Sequence, residues 1–237
     1  MTAIASPDLI AKLDDVLRAG SADLRTRMLQ EVAGLFLNDA HRLSEHQVGL
    51  FDDILIRLIE SVELRTLTTL SRSLADLHLV PRELARRLAN HDDADVAAPI
   101  LRNCACIPDA DLIDIAWMRA EGHLCAIAGR KAVNQELTDI LLMRGDSNVL
   151  RALASNPGAD MTSAGLAMMV DAAERDGDIA AALVSREDLP HRVLADLIKQ
   201  STPRQRTRLL KLARPEFRDA IRAAIDAGLA AKPVQAV

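Results

Sequence analysis

Apolar residues recur at helical spacing through the first 90 residues, and cap residues separate the runs. Ser6-Pro7-Asp8 suits a helix start, because Ser caps well and Pro fits the first helical position. Ser44-x-x-Gln47 matches a capping box. We therefore predict successive helices here, which begin at Ser6, Ser21, Ser44, Glu63 and Pro81.

A short apolar segment then recurs along the chain. Each copy carries an apolar pair at its fifth and sixth positions and closes on a polar residue. The copies begin at residues 96, 123, 149 and 179, so the spacings are 27, 26 and 30 residues. Each is followed by a turn and a second amphipathic helix, predicted over Ala110–Arg119, Gln135–Arg144, Met161–Glu174 and Pro190–Lys199.

Repeats of this length indicate stacked helix pairs. One short pair cannot bury its apolar face alone, whereas stacked neighbours share a continuous core. We therefore predict an all-α fold, a right-handed superhelical solenoid of HEAT-like helix pairs. The expected segments are longer N-terminal helices over residues 1–90, repeats over 91–200, basic helices over 201–228 and a flexible tail over 229–237.

The composition agrees with a helical protein. Aromatic residues are only 2% of the chain, so aliphatic residues and Met must form the core, whereas strand-rich domains usually use more aromatic residues. Three cysteines do not make a disulfide framework. Met1–Ser6 does not resemble a signal peptide, and no apolar run reaches about 18 residues. A cytoplasmic protein without membrane insertion is expected.

Acidic residues precede several predicted helices. A carboxylate in that position accepts hydrogen bonds from the backbone N–H groups of the first turn. We therefore assign much of the acidic excess to capping rather than to chemistry. The predicted caps are Asp95, Asp109, Asp146 or Ser147, and Asp178.

Cys104-x-Cys106 and His123-x-Cys125 together offer ligand types that zinc uses. In the repeat register, however, Cys104 and Cys125 are offset by some six residues along adjacent helices, or roughly 9 Å at the helical rise. Zinc needs its sulfur ligands at about 2.3 Å from one ion. We therefore expect buried structural thiols and no metal site.

Other residues with catalytic potential are dispersed. The chain has no His-x-x-x-His pair, Gly-x-Ser-x-Gly elbow, glycine-rich phosphate loop or dinucleotide fingerprint. Asp92-Asp93-Ala94-Asp95 lacks the glycine and distal Glu of a calcium loop, so a solvated turn with a cap explains it better. We predict no catalytic residue, no cofactor-binding residue and no cofactor.

The C-terminal helices carry an excess of positive charge. Between residues 199 and 222 the net charge is +6, whereas the rest of the chain carries −11. Such a surface can contact phosphate, an anionic lipid or an acidic partner. Alternatively, it is a solvated face that pairs with the acidic body of the same or another chain. Its basic residues are Lys199, Arg204, Arg206, Arg208, Lys211, Arg214, Arg218 and Arg222.

The repeats from Val96 to Ile198 resemble HEAT-like repeats and, more loosely, the leucine-rich-repeat-variant helical solenoids. With the Leu-rich N-terminal helices and the element Leu153-Ala154-Ser155-Asn156-Pro157, the chain resembles an uncharacterised alphaproteobacterial family, domain of unknown function 2336. This resemblance covers most of residues 1–200. It implies a helical-repeat fold and no known catalytic residues.

These observations favour a non-enzymatic scaffold or regulatory module that binds another protein, since the concave face of a solenoid is its usual working surface. The alternative is nucleic-acid binding through the basic surface between Lys199 and Arg222, and a third hypothesis is an enzyme with an unrecognised site. The wide apolar face between Val48 and Ile59 is also compatible with a homodimer.

Overall fold

The computed structural model describes Val16, residues 21–213 and residues 215–230, and the regular elements in this part of the chain are all helical. None of these helices is long and apolar enough to cross a membrane. Residues 21–213 and 215–230 contain one short 3-10 helix, Ile59–Ser61, and fourteen α-helices: α1 (Ala22–Asp39), α2 (Glu45–Leu58), α3 (Leu64–Ala75), α4 (Arg82–Ala89), α5 (Ala94–Asn103), α6 (Asp109–Met118), α7 (Glu121–Ala128), α8 (Gln135–Arg144), α9 (Ser147–Ser155), α10 (Ser163–Arg175), α11 (Gly177–Leu183), α12 (His191–Gln200), α13 (Pro203–Leu212) and α14 (Pro215–Ala230).

Most of the predicted helices are present close to their expected bounds. The helix predicted from Ser6 lies outside the described residues, apart from Val16, which is helical and buried. At the other end, α14 continues to Ala230, so the first two residues of the predicted tail are helical; residues 231–237 lie outside the described residues.

The chain divides into two compact units, Met1–Ala126 and Ile127–Val237. Within the first unit, α1 packs on α3 and α3 on α5, while α2 packs on α4. Within the second, α9, α11 and α13 pack in succession, as do α8, α10, α12 and α14. In each unit, therefore, alternate helices stack on one another. The four segments predicted from the sequence have other boundaries and remain a prediction.

Local and more distant side chains cap the helix starts of the first unit. The Ser44 hydroxyl accepts the Gln47 N–H, and the Gln47 side chain accepts the Ser44 N–H, which completes the predicted capping box. Helix α4 has no such cap of its own, since Pro81 precedes it. Instead, the Asp52 carboxylate of α2 accepts the N–H groups of Glu83 and Leu84 at 2.9 and 2.8 Å.

Capping aspartates begin three of the later helices. Asp146 caps α9 as predicted, because its carboxylate accepts the N–H groups of Asn148 and Val149. Helices α5 and α11 are capped by Asp93 and Asp176, each two residues before the predicted one. The carboxylates of the other predicted caps lie in the first turns of their helices, where a negative charge interacts favourably with the positive end of the helix dipole. These residues are Asp95, Asp109 and Asp178.

The polar residue that closes the third repeated segment binds the preceding repeat. The side-chain amide of Asn156 donates to the carbonyls of Ala128 and Arg130, both at 2.7 Å. These carbonyls lie at the C-terminal end of α7 and just beyond it, where the helix leaves acceptors without partners. Asn156 therefore satisfies backbone groups 28 and 26 residues earlier in the chain.

Arg186 closes the fourth segment and makes the same kind of contact. Its buried guanidinium donates to the carbonyls of Leu153, Asn156 and Ala159, at the C-terminal end of α9 and in the turn after it. A cation at a helix C-terminus is also favoured by the helix dipole. The side chains that close the third and fourth segments thus donate to carbonyls at or just after the helix of the preceding segment.

Asp188 neutralises this buried arginine. The guanidinium of Arg186 donates to both carboxylate oxygens of Asp188, and this hydrogen bond lowers the pKa of Asp188 despite partial desolvation. A buried charge without a partner is costly, so the acidic neighbour allows the cation to remain in the interior.

Replacement of Arg186 by Ala is expected to lower the free energy of unfolding by about 3 kcal/mol, because three backbone carbonyls lose a buried charged donor. Urea denaturation at neutral pH, monitored by circular dichroism, measures this loss in the free energy of unfolding. The matched control is Arg192→Ala, since Arg192 is exposed on the adjacent helix α12; it should change stability by less than about 0.5 kcal/mol. Equal losses in both variants would contradict the role of Arg186.

The pKa of Asp188 predicts a loss of stability in acid. Because folding lowers this pKa, the carboxylate stabilises the fold above its unfolded pKa of about 3.9, and this contribution disappears as the pH falls through the lower folded value. Wild type should therefore exceed Asp188→Asn in stability at pH about 7, and the difference should shrink below pH about 4. A difference that is constant with pH, in urea titrations at both values, would exclude this ionic contribution.

Candidate interaction surface

The predicted basic surface is distributed over the end of α12, α13 and α14 of the second unit. Lys199, Arg204, Arg208, Lys211, Arg218 and Arg222 are exposed, and Arg206 is half-buried. Arg214 lies outside the described residues. The predicted residues are thus near one another in the chain, but their side chains have different partners.

Two of these arginines bind helix ends. The Nε atom of Arg206 donates to the carbonyl of Ile198 at 3.0 Å, in the last turn of α12. The Nε atom of Arg218 donates at 3.1 Å to the carbonyl of Ala213, which follows α13. These contacts satisfy carbonyls that the helices leave open, which is a structural use of the positive charge.

Three other basic residues form ion pairs within the second unit. Arg208 binds the Asp178 carboxylate of α11, while Lys199 and Arg222 lie 3.5 and 3.3 Å from carboxylates one helical turn away. Exposed pairs of this kind contribute little to stability, but they reduce the net charge that a partner would meet.

Arg204 and Lys211 are the remaining members. Both are exposed on α13, and within the described part of the chain neither side chain has a polar partner. Their spacing of seven residues places them on one face, about two helical turns apart. Five of the seven described members of the basic surface therefore have polar partners within the second unit, and Arg204 and Lys211 do not.

An apolar feature that the sequence reasoning missed lies on α6. The chain has one Trp and three Phe. All three Phe are buried, whereas Trp117 is 49% exposed and its neighbour Met118 is 70% exposed. The signal was present in the sequence, since the buried stripe of α6 is Leu112, Ile115 and Ala116 and therefore leaves residue 117 outside the core.

Polar contacts fix both ends of α6 in the first unit. Near its start, the guanidinium of Arg86 donates to both oxygens of Asp111 at 2.7 and 2.8 Å. Just after its end, Arg119 donates to the Asn90 carbonyl at 2.5 Å and pairs with Asp92. The bond between Arg86 and Asp111 raises the pKa of the guanidinium. Trp117 is therefore presented by a helix whose position is set by charged contacts and by its buried face.

The residues considered for metal binding do not assemble into a site. Among the described residues, no group of three or more His, Cys, Asp or Glu side chains could hold a metal ion. Cys104 is buried, while Cys106 and Cys125 are partly exposed, so the expectation of buried thiols holds only for Cys104. His123, in the first turn of α7, is buried, and its Nε2 atom is 2.8 Å from the carbonyl of His91.

A groove of about 310 Å³ lies between α1 and α3 of the first unit. Leu29, Ala33 and Leu70 form its apolar floor, and Thr69 and Arg65 line its rim. Among its lining residues Arg65 is the single titratable group, and an arginine stays protonated at physiological pH. The groove therefore lacks a general acid or base.

Residues 96–236 match the family described as uncharacterised protein conserved in bacteria (DUF2336). The chain belongs to this family. No curated protein and no solved structure matches it. The resemblance inferred from the sequence covered most of residues 1–200, whereas the match begins at Val96, the first residue of the first repeated segment, and includes the basic helices.

The DUF2336 match separates the candidate surfaces. The matched residues include Trp117, Cys104, Cys106 and the basic helices α13 and α14. The groove between α1 and α3 lies before them. The family match therefore covers Trp117 and the basic helices and does not cover the groove.

The different uses of the basic residues predict different effects on stability. Arg206→Ala should lower the free energy of unfolding by about 1 kcal/mol, because carbonyls at the end of α12 lose their donor. Arg204→Ala removes an exposed side chain from α13, the helix that also carries Arg206. It should change the free energy of unfolding by less than about 0.5 kcal/mol. Guanidinium denaturation of both variants distinguishes them, and equal effects would contradict the structural role of Arg206.

Proposed function

We propose that this chain is a cytoplasmic, non-enzymatic helical-repeat scaffold or regulatory module that binds another protein. The observation that carries the proposal is the half-exposed Trp117 beside the exposed Met118 on α6. Trp is the side chain most enriched among residues that dominate binding energy at protein interfaces, and Met adapts to the shape of a partner.

The position of Trp117 supports this proposal further. In a chain with few aromatic residues, burial of its largest side chain would add to the core, yet about half of Trp117 stays exposed, at 49%. Charged contacts hold the helix at both ends, so a partner would lose little free energy in ordering it. A fixed aromatic anchor on an outer helix is typical of a protein-binding surface.

The architecture that we propose is a right-handed superhelical solenoid of HEAT-like helix pairs. It is supported by the repeat spacing near 27 residues and by the stacking of alternate helices within each unit. It is also supported by the side chains of Asn156 and Arg186, which connect successive repeats at similar sequence separations.

Nucleic-acid binding through the basic helices has less support. Arg204 and Lys211 are the two predicted cations without a polar partner in the described residues, and affinity for nucleic acid grows with the number of phosphates neutralised. Catalysis remains the third hypothesis, and the groove between α1 and α3 offers no acid or base for it.

The test of partner binding uses Trp117 as both anchor and reporter. Wild-type protein immobilised on resin should retain a specific protein from a lysate of the native host, and Trp117→Ala should retain much less of it. With the isolated partner, Trp117→Ala should weaken binding by at least about 30-fold. As the single Trp of the chain, its fluorescence should shift to shorter wavelength when the partner covers the ring.

Leu64→Ala provides the matched control, because Leu64 is an exposed apolar residue of the same unit with a similar exposed fraction, 51%. It should bind like wild type. In a separate experiment, light scattering of the wild-type protein without a partner measures its molar mass and so tests the predicted homodimer. Identical retention by wild type and Trp117→Ala would contradict the proposed surface.

A further inference from the structure

A cleft of about 270 Å³ lies in the second unit, where α9 and α11 begin and α10 ends. Ala172 and Ile179 are buried among its lining residues. Ser147, Arg151 and Arg175 also line it and are exposed. The base of the cleft is therefore apolar, and its opening carries two guanidinium groups and a hydroxyl group.

A third guanidinium group borders this cleft from α13. Gly177 lines the cleft, and a Cβ atom placed on Gly177 would lie 3.3 Å from the Nη1 atom of Arg208. The Nη2 atom of Arg208 donates to the carboxylate of Asp178. The guanidinium groups of Arg151, Arg175 and Arg208 therefore surround one opening from three different helices, and we call this site the arginine cleft.

Neighbouring side chains position two of these arginines and leave several of their donors open. Arg151 donates through Nε to Asp176 at 2.7 Å and through Nη1 to Asn148 at 3.1 Å. Arg208 donates through Nη2 to its own carboxylate partner. Since a guanidinium group has five N–H donors, each of these arginines keeps at least three for a ligand. Groups that are already held in place lose little freedom when a ligand binds.

Arg175 is the third cation and is not neutralised by a neighbour. It is exposed, and its side chain has no polar partner within residues 21–213 and 215–230. The cleft therefore brings together three guanidinium groups and the two carboxylates that orient them, so positive charge is in excess. Arg204 and Lys211 lie on the same face of α13 as Arg208, one helical turn to either side, and add to this excess.

We propose that the arginine cleft binds a phosphate group, as the free ion or as a small phosphate ester. The planar fork of a guanidinium group matches two oxygens of a phosphate, and such charge-assisted hydrogen bonds are stronger than neutral ones. A phosphate group has enough oxygens to accept from three arginines at once, whereas a carboxylate has only two. The positive end of the α9 dipole lies at the same cleft and also favours an anion.

Calorimetric titration of the full chain with sodium phosphate tests the proposal at pH about 7.5, where the ligand carries nearly two negative charges. Sodium chloride keeps the ionic strength constant, and broadening of the phosphorus-31 resonance provides a second readout. We expect one saturable site with a dissociation constant on the order of 1 mM, since the ligand is small. Glycerol phosphate distinguishes the two sources: tighter binding assigns the site to an ester, and equal or weaker binding assigns it to the free ion.

Single variants assign the binding to the cleft. Arg175→Ala should weaken phosphate binding at least about tenfold, because charge-assisted hydrogen bonds are lost. Arg175→Lys should weaken it less, since Lys keeps the charge but not the planar fork. Arg208→Ala, on another helix, should also weaken binding. Arg192→Ala is the matched control, because Arg192 is an exposed arginine of α12 in the same unit and does not line the cleft; it should bind like wild type.

Three results would overturn the proposal. One is the absence of saturable phosphate binding by the wild type, and another is an unchanged affinity in Arg175→Ala. The third is an equal loss in Arg175→Ala and Arg192→Ala, which would indicate attraction by overall charge rather than by the cleft. Since Arg175 is exposed and has no polar partner in the described residues, Arg175→Ala should remain folded by circular dichroism, and its affinity therefore reports on the site.

Discussion

The ends of short helices impose the main constraint on this fold. A helix of about ten residues leaves four carbonyls without partners at its C-terminus, a large fraction of its backbone, and a chain of many short helices repeats this cost at each turn. The protein meets it with side chains from later in the sequence. Asn156 serves the end of α7, Arg186 the end of α9, and Gln205 the carbonyls of Ala173 and Glu174 at the end of α10. Contacts between distant segments of the second unit thus also satisfy the backbone groups at these helix ends.

The distance along the chain between a residue and its partners explains which predictions succeeded. Helix positions followed from apolar spacing and cap residues, because both are encoded within a few neighbouring residues, as at Ser44 and Gln47. The predicted polar position at the end of each repeated segment was visible as a pattern, but its partners were not. The carbonyls bound by Arg186 lie 27 to 33 residues earlier, and sequence spacing alone does not show which backbone groups need a donor.

The candidate surface shows the same limit. Charge counting identified the basic helices, yet it could not distinguish Arg206, which binds carbonyls, from Arg204, which faces solvent. Both residues carry the same charge, and only their surroundings differ. Trp117 was missed for a different reason, since a large apolar residue is normally assigned to a core. Its exposure became informative when the three Phe proved to be buried and the contacts that fix α6 were known.

The contacts made by Asn156 and Arg186 also bear on how such a chain can lengthen or shorten during evolution. Donor and acceptors are separated by roughly one repeat, 26 to 33 residues. Duplication of a segment of that length would therefore copy one donor and one set of carbonyls together. Deletion of half a repeat would leave carbonyls buried without donors. A change in length by about one such spacing would thus keep donors and carbonyls matched, independently of what the protein binds.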